Sequence, residues 1–373
     1  MDRSLERIRL VGDSSPDHHA LRASVLSELG RVVPFSAFVW PLSDPVTGTG
    51  ISPMARIPYP EDLPLLIRLK YQTTVGRWTT LAARGPQVTT LLSETGGNPS
   101  QSLVWESLMK RYEVSDVLYA GFADKYGYWG WLDLWRTADQ GAFTAEEVQF
   151  LAAVVLAVTP ALRRSVARQF GIAGPIPWPV SPRIPSSTDD RPRTDRLIAD
   201  LPQQAILTLD EDMAVLGKTA SVDEWLGLLQ AGPRPFHTVP SEVLNVAAQL
   251  LAQEAGVDHH PAWSRVHLVS GQWAILRASR MGPAGLEATP PLAITIQACP
   301  PEARLDVFAR SLGLTPRQRE LLQLASEGLD TAAMATTLGI GIYTVQDQFK
   351  QIFDACGVHS RAALLAMALG TAP

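Results

Sequence analysis

Cysteine is nearly absent from this 373-residue chain, with Cys299 and Cys356 its only thiols. Two are too few for a disulfide framework or a metal site, and two roles stay open for them, a redox sensor or a buried inert thiol. Neither histidine nor cysteine occurs between Ala20 and Phe170, which sets aside axial haem ligation and bilin attachment in that stretch. A signal peptide is not expected, because Asp2, Arg3, Glu6, Arg7 and Arg9 break any apolar run near the start. The longest apolar run, 150–158, falls far short of the ~20 residues of a membrane span. The expectation is a cytoplasmic protein with no membrane partner. A basic surplus is lacking too, since the net charge is −5. No Gly-rich phosphate loop, nucleophile elbow or metal-spaced ligand set is present, so neither an enzyme nor a bound cofactor is expected. Nor can a receiver-like acidic pocket with a phosphorylatable Asp be picked out.

What is present suggests an α+β protein of two or three domains. A hydrophobic fraction of 46% supports real cores. Composition shifts sharply at 171–192, where Pro175, Pro177, Pro179, Pro182, Pro185 and Pro192 sit among Ser, Arg and Asp. That is a linker, with Trp178 either docked on a neighbour or exposed. It separates a sensor-like segment, 1–170, from a second α/β segment, 193–299, and a C-terminal helical segment, 300–373.

In the first segment, 20–31 reads as an amphipathic helix and 35–42 as a strand with its turn at 44–50. Residues 60–71 and 101–112 read as helices, and 114–123 with 127–135 as an antiparallel pair. Thr144 to Glu147 is a capping box opening a long helix to Phe170, which Pro160 should kink. That helix either pairs between protomers or packs on its own sheet. Period-2 alternation puts Trp129, Trp131, Asp133 and Trp135 on one strand face. These rings, with Trp40 and Trp78, are either core packing or the lining of a pocket for an apolar or aromatic ligand.

In the second segment, strands are expected at 204–209, 214–218, 265–269, 273–279 and 292–298, with helices at 221–229 and 240–254. His237, His259, His260 and His267 lack metal-ligand spacing and read as surface or loop residues rather than a cluster.

The C-terminal segment carries the strongest pattern. Thr315 is an N-cap candidate and Pro316 suits the first helical position. Leu321, Leu322, Leu324 and Ala325 form an apolar face that Gly328 ends. A short helix over 331–338 turns Ala332, Ala335 and Leu338 inward, and the Gly-containing turn 338–341 follows. The next helix, 342–355, puts Val345, Phe349, Ile352 and Phe353 on one side and Gln346, Asp347, Lys350 and Asp354 on the other. Gly357 stops it, and Ser360 caps a fourth helix over 361–369. This is a helix-turn-helix pattern, the layout of a major-groove reader. It is not basic: Arg304, Arg310, Arg317, Arg319, Lys350 and Arg361 are offset by Asp306, Glu320, Glu327, Asp330, Asp347 and Asp354. Modest affinity per protomer, helped by dimerisation, is therefore expected.

The string Leu314-Thr315-Pro316-Arg317-x-Arg319-Glu320, then Gly328, Leu338-Gly339-Ile340, Thr344-Val345, Gly357-Val358 and Ser360-Arg361, resembles the LuxR-type (NarL/FixJ-like) DNA-binding domain over roughly the last sixty residues. Within it, Thr344-Val345-Gln346-Asp347-Gln348-Phe349-Lys350 resembles an actinobacterial subgroup in which a GAF-like region precedes the reader. The resemblance implies double-stranded DNA as partner. It places Gln346, Asp347 and Lys350 in the major groove, and Tyr343, Thr344, Gln348 and Arg361 at phosphate and sugar. Three positions depart from the pattern. Gly341 stands where Ser is usual, Gln348 where His is common, and Tyr343 where a basic residue or His is common. The last two each remove potential positive charge at the phosphates.

Residues 127–136, followed by Phe143-Thr144-x-Glu146-Glu147, resemble the end of a GAF domain. That implies an antiparallel sheet with a small-molecule cavity on one face. Leu207-Thr208-Leu209-Asp210 and the order of elements resemble a PAS-like fold. Together these imply a transcriptional regulator, expected as a homodimer, with a small-molecule effector and RNA polymerase as candidate partners. The rival expectation is a protein-interaction regulator whose helix-turn-helix binds DNA weakly or not at all.

Overall fold

The computed structural model describes residues 1–84, 87–171, 201–229, 239–282 and 289–370. Most of the Pro-rich segment, with Trp178, and also His237, lie outside the described residues.

The chain opens with α1 (Asp2–Ser14), which the charge-rich first residues concealed from sequence reading. Its one fully buried apolar side chain is Ile8. α2 (His18–Leu29) follows, capped by Asp17, whose carboxylate accepts from the His19 and Ala20 amides at 2.8 Å. Then come β1 (Ala37–Ser43), β2 (Gly50–Arg56), α3 (Leu63–Gln72), α4 (Trp78–Arg84), β3 (Val88–Thr90), α5 (Leu91–Glu94) and α6 (Leu103–Ser107). The hairpin of β4 (Val114–Asp124) and β5 (Gly127–Thr137) and the long α7 (Ala145–Gly171) complete the first unit. Its sheet is antiparallel, in the order β2-β1-β5-β4-β3. Gly130 is needed at one crowded point. Its φ is +147°, and a Cβ there would sit 2.5 Å from the Pro41 carbonyl.

α7 starts on the expected capping box. Thr144 Oγ1 accepts from the Glu147 amide, and the Glu147 carboxylate accepts from the Thr144 amide at 2.8 Å. The helix continues through Pro160. At 27 residues it is long and apolar enough by length and composition to cross a membrane, which the expectation drawn from 150–158 missed. Here Leu151, Val154, Val155, Val158 and Leu162 are buried within the first unit. The opposite side leaves Leu156 75% exposed.

The second unit holds β6 (Ala205–Leu209), β7 (Val215–Lys218), α8 (Val222–Leu229), α9 (Ser241–Glu254), β8 (Trp263–His267), β9 (Trp273–Arg280) and β10 (Leu292–Ala298). Its antiparallel order is β7-β6-β10-β9-β8. Counted from its own first strand, each sheet therefore runs second, first, fifth, fourth, third, so one strand order is used twice.

Five helices follow: α10 (Pro301–Ser311), α11 (Pro316–Ser326), α12 (Thr331–Leu338), α13 (Ile342–Cys356) and α14 (Arg361–Leu369). Their core joins Leu305, Phe308, Leu321, Leu322, Met334, Leu338, Val345, Ile352 and Leu364. In α12 the inward set is Met334, Ala335 and Leu338, whereas Ala332, expected inward, is exposed.

Candidate functional site

Short-range capping fixes the C-terminal helices one after another. Thr315 Oγ1 accepts from the Gln318 amide, and the Gln318 side-chain oxygen accepts from the Thr315 amide at 2.9 Å, a closed capping box. Gln318 also donates through Nε2 to Gln351 Oε1 at 3.1 Å, which ties α11 to α13. Asp330 caps α12 through the Ala333 amide at 2.8 Å. The chain then reverses at Gly339, whose φ of +62° is the left-handed conformation that glycine adopts without strain. Arg317 closes the same turn by donating to the Leu338 carbonyl. α13 starts from Gly341 with no side-chain cap, and Ser360 caps α14 through the Ala363 amide.

That scaffold presents one face of α13. Val345, Phe349 and Ile352 are buried, each removal from water worth roughly 1.5–3 kcal/mol as an upper bound. Tyr343, Thr344, Gln346, Asp347 and Lys350 are exposed, and Gln348 is half-buried at the edge of the face. Tyr343 is 83% exposed and Ile342 46%. Lys350 is the one cation on α13, beside Asp347 and Asp354.

Arg361, expected at a phosphate, also makes contacts within the protein. Its Nη2 donates to the Ala325 carbonyl at 2.9 Å and to the Leu329 carbonyl, and its guanidinium lies over the Phe349 ring. It thereby ties α14 to the C-terminal end of α11 and to the turn that follows it.

The five tryptophans divide between the two faces of the first sheet. Trp131, Asp133 and Trp135 share a face by alternation, pairing in unbroken register with Gly121, Tyr119 and Val117 of β4. Trp131 stacks on Trp78 at 3.8 Å, and Trp135 stacks on Tyr112. Trp40 is on the opposite face, stacked on Phe122. Trp129 leaves the expected row because β5 carries an extra residue between its pairings with Phe122 and Ala123. Its Nε1 donates to Asp124 Oδ1 at 3.0 Å, and Asp124 in turn pairs with Arg163 of α7. All five rings are buried.

A cavity of about 100 Å³ lies on the Trp131 face. Of the five tryptophans only Trp131 lines it, with Val39, Pro41, Leu63, Leu66 and Ile67 as the apolar wall. Lys70, Asp133 and Tyr71 supply polar atoms, and Ser241 and Asn245 close it from α9. Lys70 and Asp133 form a buried ion pair at 2.8 Å. Burial pushes the Lys70 ammonium down and the Asp133 carboxyl up, and each charge opposes the shift of the other. Sequence reading passed over this pair, although a signal was there. Lys70 stands in the apolar run 63–71 and Asp133 in the apolar strand 127–135, and a charge in such a place needs a partner.

Two further ionic junctions were not singled out in the sequence. Arg77 of the first unit, 1% exposed at its side chain, meets Asp258 of the second at 2.5 Å. Its guanidinium also donates to the Tyr71 carbonyl and Gln249 Oε1. Arg265 on β8 grips Asp44 through Nε and Nη2, and meets Asp306 of α10 through Nη1. One arginine thus joins both sheet units to the first of the five helices.

The remaining candidates are dispersed. His260 bonds Asp258 at 2.6 Å, and His267 is packed against Trp273. Among the described residues no group of three His, Cys, Asp or Glu could hold a metal ion. Burial pushes the thiols of Cys299 and Cys356 up to about 12, away from the reactive thiolate.

No family model matches the chain, and no curated protein does. Among solved structures it is similar to two of Vibrio cholerae VqmA, one of a dimer in the absence of target DNA and one of a VqmA–ligand–DNA complex. Each is 21% identical with a TM-score of 0.20, and covers 47% of this chain and 86% or 85% of the other. The first is described as bearing on the DNA-binding mechanisms of LuxR-type receptors. A TM-score this low leaves the work of the C-terminal helices to be read from this chain's own residues.

Proposed function

We propose that the chain is a sequence-specific, double-stranded-DNA-binding transcriptional regulator rather than an enzyme. Its reader is the α11–α14 set, and α13 is the helix that enters the major groove. The observation that carries this is the division of α13 into a buried apolar side and an exposed polar side displaying Gln346, Asp347 and Lys350. Gln suits adenine, Asp accepts from cytosine N4, and Lys donates to guanine O6 and N7. Tyr343 and Thr344, exposed at the start of the helix, and Gln348 at its edge are the proposed backbone contacts.

The two sheet units, with their shared strand order, support GAF-like and PAS-like readings and a sensory role. A small-molecule effector, a homodimer and contact with RNA polymerase belong to the same proposal. Support for two copies comes from the reader's balanced charge, which gives weak binding until two half-sites act together. Leu156 on the outer side of α7 and Leu10 on α1 are exposed apolar groups suited to such pairing.

The test is selection of bound fragments from a genomic library by the full chain at stated salt. Recovery of a shared sequence supports the regulator. Recovery of no enriched sequence favours the second reading, a protein-interaction module, which rests on the acidic neighbours of Lys350.

A further inference from the structure

We propose that Ile342 reads a thymine, its side chain packing on the C5-methyl group of that base in the major groove, close to the base that Gln346 meets. The proposal rests on the reading given under Proposed function, and adds to it a residue that the DNA-binding motif leaves without a role.

Ile342 is the first residue of α13 and is 46% exposed. A single apolar side chain at a surface is ordinary, so its place is what decides. The other branched aliphatic side chains of α13, Val345 and Ile352, are buried on the opposite side. Ile342 stands one turn before Gln346 and two before Lys350, and all three are exposed. At i, i+4 and i+8 they form one stripe, which drifts by only about 40° from each to the next. The residue before it leaves it uncovered. Gly341 has no side chain, and a Cβ there would find Thr344 Oγ1, at 3.8 Å, as its nearest neighbour beyond the adjoining residues.

The chemistry of the groove names the occupant. Base edges there present nitrogen and oxygen donors and acceptors and one apolar group, the thymine methyl. An isoleucine neither donates nor accepts. Against a phosphate it would strip water and return no hydrogen bond, whereas against a methyl group both surfaces leave water. Position agrees with chemistry, because helix-turn-helix readers bring the N-terminal residues of the second helix to the base edges. Ile342 and Gln346 are about 6 Å apart along the helix axis, and successive base pairs about 3.4 Å apart. The thymine is therefore within about two steps of the base that Gln346 meets. Tyr343, with a hydroxyl to offer, keeps its place at the backbone.

The experiment uses the full chain and the fragment enriched from the genomic library. Each thymine is replaced in turn by deoxyuridine, which keeps the pairing edge and lacks the methyl. Affinity is read by fluorescence anisotropy at fixed salt for the parent, Ile342→Ala and Lys350→Gln, each checked for folding by circular dichroism. In the parent, replacing one thymine in each half-site should weaken binding about fourfold, the worth of one methyl group withdrawn from water. Ile342→Ala should bind the thymine duplex weaker by at least that factor and be indifferent to the same replacement. Lys350→Gln should bind more weakly yet keep the fourfold loss. Ile342→Ala should also leave the salt slope unchanged, because an apolar contact releases no counterions. The proposal is overturned if no replacement weakens the parent, or if Ile342→Ala loses as much as the parent at every thymine. Either result, with the fragment still bound, leaves the regulator reading standing. Enrichment of no fragment overturns the regulator reading, and the role of Ile342 with it.

Discussion

Arg265 holds Asp306 at 2.8 Å with one nitrogen while two others grip Asp44 at 2.7 and 2.9 Å. Its side chain is 2% exposed, that of Asp44 0% and that of Asp306 33%. The two carboxylates are therefore not equivalent. Asp44→Ala leaves a buried guanidinium half-compensated and should cost about 3–5 kcal/mol in urea unfolding. Asp306→Asn removes a partly solvated partner and should cost about 1 kcal/mol or less. Its larger effect should be faster amide exchange in α10, read by hydrogen–deuterium exchange. Equal costs for the two variants would contradict the junction described here.

Arg361 should behave as a structural residue. Arg361→Gln removes donors to the Ala325 and Leu329 carbonyls and should destabilise the C-terminal helices by about 1–3 kcal/mol. The salt dependence of DNA binding by the folded variant should not change. A drop of about one in the slope of log K against log salt, with stability intact, would restore the phosphate contact.

Acid should loosen the seam between α2 and β8. Burial is the main reason that His18 is lowered to about 3 and His267 to about 4, with Arg22 adding to the first and Arg304 to the second. Asp17 opposes the shift at His18, and His19 and His267 add to it. Both rings are neutral when folded and take up a proton near 6.5 when unfolded. Their contribution is thus complete above about pH 6.5 and is lost as pH falls toward 4 for His267 and toward 3 for His18. Each should account for on the order of 3 kcal/mol of that loss, at about 1.4 kcal/mol per pH unit. His267→Gln should flatten the stability curve between pH 6.5 and 4. An unchanged slope would sink this account.

Some of the architecture could be read before any coordinates, because its causes are local. Thr315, Thr144 and Ser360 lie next to the amides they cap, so short-range chemistry fixes where those helices start. The 3.6-residue period of Val345, Phe349 and Ile352 marks the buried side of α13 in the same way. What escaped notice depends on partners distant in sequence or on an irregularity. α1 hid behind its charges. A one-residue bulge moved Trp129 off the face its spacing implied. Arg265 lies 221 positions from Asp44, and no local pattern announces that pairing. Arg361 shows a different limit. A motif can place a side chain on the right helix, but only packing shows that nearby carbonyls already hold it.

The central claim concerns the exposed side of α13, and Lys350 is its most sensitive point. Fluorescence anisotropy of the full chain with an enriched genomic fragment, titrated from low to physiological salt, compares the parent with Lys350→Glu and Lys350→Gln. The parent should bind with affinity that falls as salt rises. Lys350→Gln should lose about 1–3 kcal/mol of binding and Lys350→Glu should abolish it, with folding unchanged in both. Binding by Lys350→Glu equal to that of the parent would contradict the claim that this face reads DNA.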